Sequence, residues 1–244
     1  MPTTLTVPTR FNGPPASANG GWFSGALASL LPSPTGEQGA VRVRLSAPPP
    51  LGRPLTVDRD EDGPAPNSLR VTDGDVLVAT AERVAGDGPT GALVAPIPFA
   101  DADALGETYE GRADHPFATC FTCGLAHPDG LRLRSARVPG DDNGAYAAAW
   151  RATEVDPEIL WAALDCPGGW ASGIAGRPMV LGTMTGVVSG RPEPGEECVV
   201  MAWPRGGSGR RYESGTAAYG SDGRLLGRAD ATWIAIDPAA FRPR

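Results

Sequence analysis

The sequence predicts an α+β chain of two similar halves, each a helix followed by an antiparallel meander. Three observations predict it. Gly20-Gly21-Trp22-Phe23-Ser24-Gly25 is answered by Gly168-Gly169-Trp170-Ala171-Ser172-Gly173, which differs only where Phe23 meets Ala171. Ser46 to Val57 lines up with Ser189 to Val200, placing Pro49 on Pro192 and Gly52 on Gly195. Thr72-Asp73-Gly74 is matched by Ser221-Asp222-Gly223, each entering a β-rich run. The matches are collinear at a nearly constant offset, so a tandem duplication is the simplest reading.

In the first half, Asn19 is a favourable N-cap for the Ala-rich segment Gly20 to Leu31, and Pro32 and Pro34 stop it after about three turns. Short β-branched runs follow at Val41 to Leu45, Pro54 to Arg59, Ser68 to Thr72 and Val76 to Val84, and Asp73-Gly74 marks a hairpin. The second half predicts a helix over Gly168 to Gly176, then strands over Met179 to Val188, Glu197 to Trp203, Arg210 to Tyr219 and Leu225 to Ile236. Ahead of that helix, Leu131 to Arg134 and Tyr146 to Trp150 are strand-like, and Asp156-Pro157 opens a short helix up to Leu164. The expected division is an N-terminal unit over residues 1–90, a Gly/Asp/Ala-rich linker over 91–114 and a C-terminal unit over 115–244.

Composition narrows the function. The chain has 244 residues, 41% hydrophobic and 20% charged, with Gly 33 and Pro 26, which describes a folded, turn-rich protein. A formal charge of -7 without a basic run argues against nucleic acid, and no stretch approaches the roughly 20 apolar residues that span a bilayer. No leader-like segment is evident at the start, so a cytoplasmic location is expected, with Cys120, Cys123, Cys166 and Cys198 reduced. All 21 basic residues are Arg, which removes Schiff-base lysines and the P-loop lysine. No Gly-x-Ser-x-Gly elbow occurs and the only histidines are His115 and His127, so hydrolytic chemistry would rest on a carboxylate.

Asn19-Gly20-Gly21-Trp22 and Leu164-Asp165-Cys166-Pro167-Gly168-Gly169-Trp170, each followed by a β-meander, resemble the double hot-dog proteins of the acyl-CoA thioesterase superfamily. The resemblance implies a tandem (double) hot-dog, two antiparallel sheets each wrapped around a central helix and joined side by side as a pseudo-dimer into one continuous sheet, with an acyl thioester held between the halves near a helix N-terminus. It implies a thioester hydrolase acting on an acyl-CoA or related thioester, with no resident cofactor. A non-catalytic protein that binds acyl-CoA or another hydrophobic ligand is the alternative. A double hot-dog dehydratase ranks third, because that chemistry needs an Asp/His pair and neither histidine stands by a Gly-Gly-Trp motif in sequence.

The candidate residues follow from thioester chemistry, which needs a base and donors for a developing oxyanion. Asp165, in an apolar stretch, is the expected base, with capping of the following helix as the alternative. Backbone N–H groups at Gly168, Gly169 and Trp170, and at Gly20 and Gly21, are the expected binding donors. Asn19 can orient a carbonyl or a water, or simply cap its helix; aligned on the glycines, Ser17 stands where Asp165 does. Thr183 is a candidate polar partner or an ordinary strand threonine, and Gln38, the one glutamine, falls outside any matching motif. Arg205, Arg210 and Arg211, around Gly206 to Gly209, offer guanidinium groups to coenzyme A phosphates or form a solvated hairpin tip.

His115, Cys120, Cys123 and His127 form a candidate zinc set, His-x4-Cys-x2-Cys-x3-His. The ligand loops are shorter than those of common fingers, and the other reading is a loop packing buried thiols, so no metal is expected. Cys166 reads as a small apolar filler or, beside Asp165, a nucleophile. The expected partner is a small acyl thioester, with pairing of whole chains through sheet edges or faces as the route to a homo-oligomer.

Overall fold

A computed structural model describes residues 3–32, 39–60, 68–84 and 88–237; Gln38 lies outside the described residues. The first helix, α1, spans Gly20–Leu30, capped by Asn19 Oδ1, which accepts from Trp22 N at 2.8 Å. Strands β1 (Thr3–Thr6), β2 (Val41–Leu45), β3 (Pro54–Asp60), β4 (Ser68–Asp73) and β5 (Val76–Arg83) complete the first half. The second half carries β6 (Ala136–Arg137), β7 (Tyr146–Ala152), β8 (Met179–Val188), β9 (Glu196–Ser208), β10 (Arg211–Tyr219) and β11 (Leu225–Ala235). Between them lies α2, Phe99–Leu105, inside the segment read as linker. It packs on the outer face of the second half, where Ala102 meets Val199, Met201 and Trp203.

The two expected sheets are joined into one continuous sheet, so they are not separate layers. Eleven antiparallel strands run in the order β1-β3-β4-β5-β2-β8-β11-β10-β9-β7-β6. Its seam is β2 against β8, with Val43 opposite Met184 and Arg44 opposite Thr183. Strand β2 pairs with β5 on one side and β8 with β11 on the other, so the order mirrors itself about the seam. Edge backbone groups that two separate sheets would expose are thereby paired. One continuous hydrophobic core joins the halves, with Val43, Leu69 and Phe23 in the same cluster as Met184, Ala229 and Trp170.

The second helical element also differs from expectation. Helix α3 spans Pro157–Ala163 with Asp156 and Pro157 at its start, and α4 spans only Cys166–Ala171, ending well short of Gly176. It is α3 that lies along α1. A Cβ on Gly21 would come within 2.5 Å of Trp161 O, and one on Gly25 within 2.8 Å of Trp161 Cβ, so glycine on this face allows two backbones to touch. The Trp161 indole fills the remaining gap over Gly186, where an added Cβ would lie 2.7 Å from its ring. Leu131 to Arg134 is not a strand; Leu131 N and Leu133 N instead donate to Phe121 O and Thr122 O, tying this segment to the cysteine loop. No helix among the described residues is long and apolar enough to cross a membrane.

Candidate functional site

The two helices α3 and α4 are one helical element broken at a single point. Pro167 has no N–H, and its ring would meet the carbonyl four residues earlier in a continuous helix. The break falls at Asp165, with φ -80 and ψ -83. Threonines brace the break: Thr216 Oγ1 donates to Leu164 O at 2.9 Å, and Thr122 Oγ1 donates at 3.1 Å to Ala162 O, which also accepts from Asp165 N. The kink turns the Asp165 side chain away from its own helix and towards α1.

Asp165 is 2% exposed, and its side chain makes no capping bond to α4; only its backbone carbonyl does, accepting from Gly168 N at 3.0 Å. Its Oδ2 accepts from Asn19 Nδ2 and from Gly21 N, both at 2.9 Å. Its Oδ1 is buried without a hydrogen-bond partner among the described residues. Burial pushes this carboxyl up to about 7, against the opposing pull of the Gly21 N–H and the Asn19 amide. Asn19 therefore caps α1 and grips Asp165 with opposite ends of one amide.

Asp165, Asn19 and Gly20 line a cavity of about 250 Å³. Leu181, Val180 and Met179 from β8, Trp233 and Ile234 from β11, and Phe117 make its walls mostly apolar. A β-bulge between β8 and β11 lets Gly182 reach the wall. Gly20 heads α1 at the cavity, and its N–H has no partner among the described residues. That is one of the free donors a helix N-terminus presents to an incoming oxygen.

Several expected site residues lie elsewhere. Gly168 and Gly169 are buried against Ser214 and Trp233, and neither they nor Trp170 line the cavity, so the glycine-headed end open to a ligand is that of α1. Thr183 sits between Arg44 and Thr232 on the opposite face of the sheet from Met184, which points into the core, and is not a lining residue. Arg205 pairs with Asp230 at 2.8 Å, and Arg210 Nε donates to Ala235 O at 3.0 Å; neither they nor Arg211 line the cavity.

The histidines and cysteines regroup. His127 stands apart from the other residues of the candidate zinc set: its Nε2 meets Arg10 O at 2.8 Å and its Nδ1 accepts from Asp129 N at 3.0 Å. Cys120 and Cys123 instead meet Cys166, with all three sulfurs within 4.8 Å of one another, and all three residues line the cavity. Hydrogen bonds from the Cys123 and Cys166 thiols hold Cys120 well below the usual thiol range, while burial raises Cys123, and hydrogen bonding to Cys120 raises Cys166. His115 also lines the cavity, its ring packed edge-on to Trp170 at 5.2 Å between centroids, so a histidine does stand by a Gly-Gly-Trp motif in space. Its Nδ1 accepts from Phe117 N at 2.9 Å, and burial lowers its basicity. The convergence of Cys166 with Cys120 and Cys123 had no signal in the sequence, because the kink and the loop that create it are far apart along the chain.

No protein-family description and no curated protein matches this sequence. Solved structures do. A hot-dog-fold protein of unknown function from Alicyclobacillus acidocaldarius superimposes with a TM-score of 0.62 at 16% identity, covering 96% of this chain and 93% of that one. An acyl-CoA thioesterase II from Mycobacterium marinum gives a TM-score of 0.57 at 12% identity over 92% and 93%. The dehydratase domain of a mycocerosic acid synthase-like polyketide synthase gives 0.55 at 12% identity over 97% and 92%. With a mirrored sheet, two helical elements packed along its seam and likeness over nearly the full length of these proteins, the chain has the hot-dog fold in its double form.

Proposed function

We infer that this chain is a thioesterase-like hydrolase in which Asp165 activates water against an acyl-CoA or related thioester held in the cavity. The observation that carries this reading is the asymmetry of the Asp165 carboxylate: Oδ2 is held by Asn19 and Gly21, and Oδ1 is unpartnered beside an apolar cavity. A group fixed by one oxygen and free at the other is oriented for proton transfer at no further entropic cost. In the proposed reaction Oδ1 takes a proton from water as its oxygen attacks the thioester carbonyl. The Gly20 N–H donates to the oxygen as it gains charge, with the α1 dipole behind it. The C–S bond then breaks, and the departing sulfur takes the proton from Asp165.

The apolar walls suit a hydrophobic acyl group. Arg211, whose strand partner Ile234 lines the cavity, and Arg210 are assigned the phosphates of coenzyme A. Ancestry by tandem duplication is part of the proposal, supported by the mirrored strand order.

Release of free thiol from short, medium and aromatic acyl-CoAs tests the reading, comparing wild type with Asp165→Asn. Turnover that survives the substitution removes Asp165 from the mechanism, and saturable acyl-CoA binding without turnover favours the binding protein. One observation favours a second reading, β-hydroxyacyl dehydration, because His115 and Asp165 share the cavity. Against it, Nδ1 of His115 accepts an amide N–H, so the neutral ring carries its proton on Nε2 and has no lone pair there to take another. Formation of an α,β-unsaturated thioester from a β-hydroxyacyl-CoA would decide for that reading.

A further inference from the structure

The three cysteines at the cavity have a geometry that neither packing nor disulfide chemistry requires. Cys120 Sγ and Cys166 Sγ are 3.6 Å apart, and Cys123 Sγ lies within 4.8 Å of both. A disulfide would need about 2.05 Å. Tetrahedral zinc with Zn–S bonds of about 2.3 Å sets its sulfurs about 3.8 Å apart, so an ion between these three needs only small side-chain adjustments.

The backbone of the loop is shaped for the same purpose. Cys120-Phe121-Thr122-Cys123-Gly124 turns back on itself through Gly124 N donating to Cys120 O at 2.8 Å. A Cβ on residue 124 would lie 2.4 Å from Cys120 N, so the turn admits only glycine. Asn19 Nδ2 stands 3.9 Å from Cys120 Sγ and 3.8 Å from Cys166 Sγ, a donor poised over both. Tyr109 Oη donates to Cys123 O at 3.1 Å and anchors the loop from behind. Outer contacts of this kind fix metal ligands in position.

We propose that Cys120, Cys123 and Cys166 bind a thiophilic divalent cation of the zinc class through three sulfurs, with the fourth coordination position facing the cavity. His115 does not fill that position, because its Nδ1 is engaged by Phe117 N and Nε2 then carries the ring proton. On binding, the thiol protons pass to solvent, and the charge left on the sulfurs is met by the ion and by the Asn19 amide. Cys166 belongs to the α3–α4 kink and the Cys-x2-Cys loop to the segment entering the second half, so the ion pins that loop to the element bearing Asp165. The site is independent of whether a thioester is cut.

The test is metal content and spectroscopy on the full-length protein without substrate, so failure here leaves the hydrolase reading standing, and the reverse. Elemental analysis of protein purified under reducing conditions should find about one equivalent of zinc per chain. Cys120→Ser, Cys123→Ser and Cys166→Ser should each lower occupancy about tenfold or more. Cys198→Ala, which removes the one cysteine outside the cluster, should leave it unchanged. Apo wild type titrated with Co²⁺ should develop the sulfur-to-metal charge-transfer and d–d absorption of a tetrahedral thiolate site, a readout that does not depend on any variant folding. Zinc below about a tenth of an equivalent with no cobalt spectrum overturns the proposal. So does zinc retained in all three serine variants, or a Cys120–Cys166 disulfide in the protein as purified under those reducing conditions.

Discussion

Asn19 and Asp165 meet at 2.9 Å across the junction of the two halves, one at the head of α1 and the other at the break between α3 and α4. The contact divides labour. Asn19 supplies a neutral donor to Oδ2, and burial makes the Asp165 carboxyl a stronger base than an ordinary aspartate. Replacing Asn19 by Ala should remove both the helix cap and the grip, costing about 1–3 kcal/mol in stability. Asn19→Ser should keep the cap, since serine is a good N-cap, but cannot reach Asp165. The expected outcome is near-wild-type unfolding in urea for Asn19→Ser with turnover reduced about tenfold or more, which separates positioning from capping.

Asp165→Asn makes a different prediction, because burying a carboxylate with an unpartnered oxygen costs stability. The amide is nearly isosteric and its oxygen can still accept from Gly21 N. Thermal unfolding should therefore occur at the wild-type temperature or above it. Thiol release should fall by about 10²–10⁴-fold, the range general-base catalysis contributes. A protein that loses stability together with activity would point to a structural carboxylate.

Much of this was legible in the sequence, and the limits have physical causes. Periodicity and turn chemistry located α1 and most strands to within a residue or two, because Asn19, Pro32 and Asp73-Gly74 act locally. Asp165 and Asn19 stood out by their place beside the glycine motifs. The counterpart of α1 was misplaced for an equally local reason. The Gly168-Gly169-Trp170 match is real as sequence, but Pro167 breaks the helix there, and the surface that packs on Gly21 and Gly25 comes from α3. The β2–β8 seam and the meeting of Cys166 with Cys120 and Cys123 are long-range, and no local preference encodes them.

The close approach of α1 and α3 can be tested by volume. Gly21→Ala would place Cβ 2.4 Å from Asp165 Cβ and 2.5 Å from Trp161 O, a clash with backbone that no rotamer relieves. It should destabilise by about 2–4 kcal/mol and disturb Asp165, reducing turnover as well. Gly74→Ala meets nothing within 4 Å but must hold φ +58, so it should cost about 1 kcal/mol and leave turnover untouched. Urea unfolding of the pair ranks close packing against backbone conformation. Equal losses would contradict the helix contact.

Stability should also depend on acid through a site remote from the cavity. Glu196, with a side chain 6% exposed, accepts from Arg224 Nη1 and Nη2 at 2.7 Å each and from Ser221 N at 2.8 Å. The Arg224 guanidinium, foremost among these donors, holds the carboxyl at about 2, below its ordinary 4.5. A carboxyl lowered on folding favours the native state wherever the unfolded chain would also be ionised. Its contribution is therefore complete above pH 4.5 and is lost as pH falls towards about 2. Glu196 joins the start of β9 to the β10–β11 turn, so its protonation should loosen that end of the sheet first. Glu196→Gln keeps the shape and removes the charge. At neutral pH it should be less stable than wild type by about 1–2 kcal/mol, a partly exposed ion pair being worth less than a buried one. Urea unfolding of both proteins, repeated at falling pH, should show the difference narrow through this window and nearly vanish at its lower end. A gap that stays constant down to that limit would show that the contribution of Glu196 does not come from its charge.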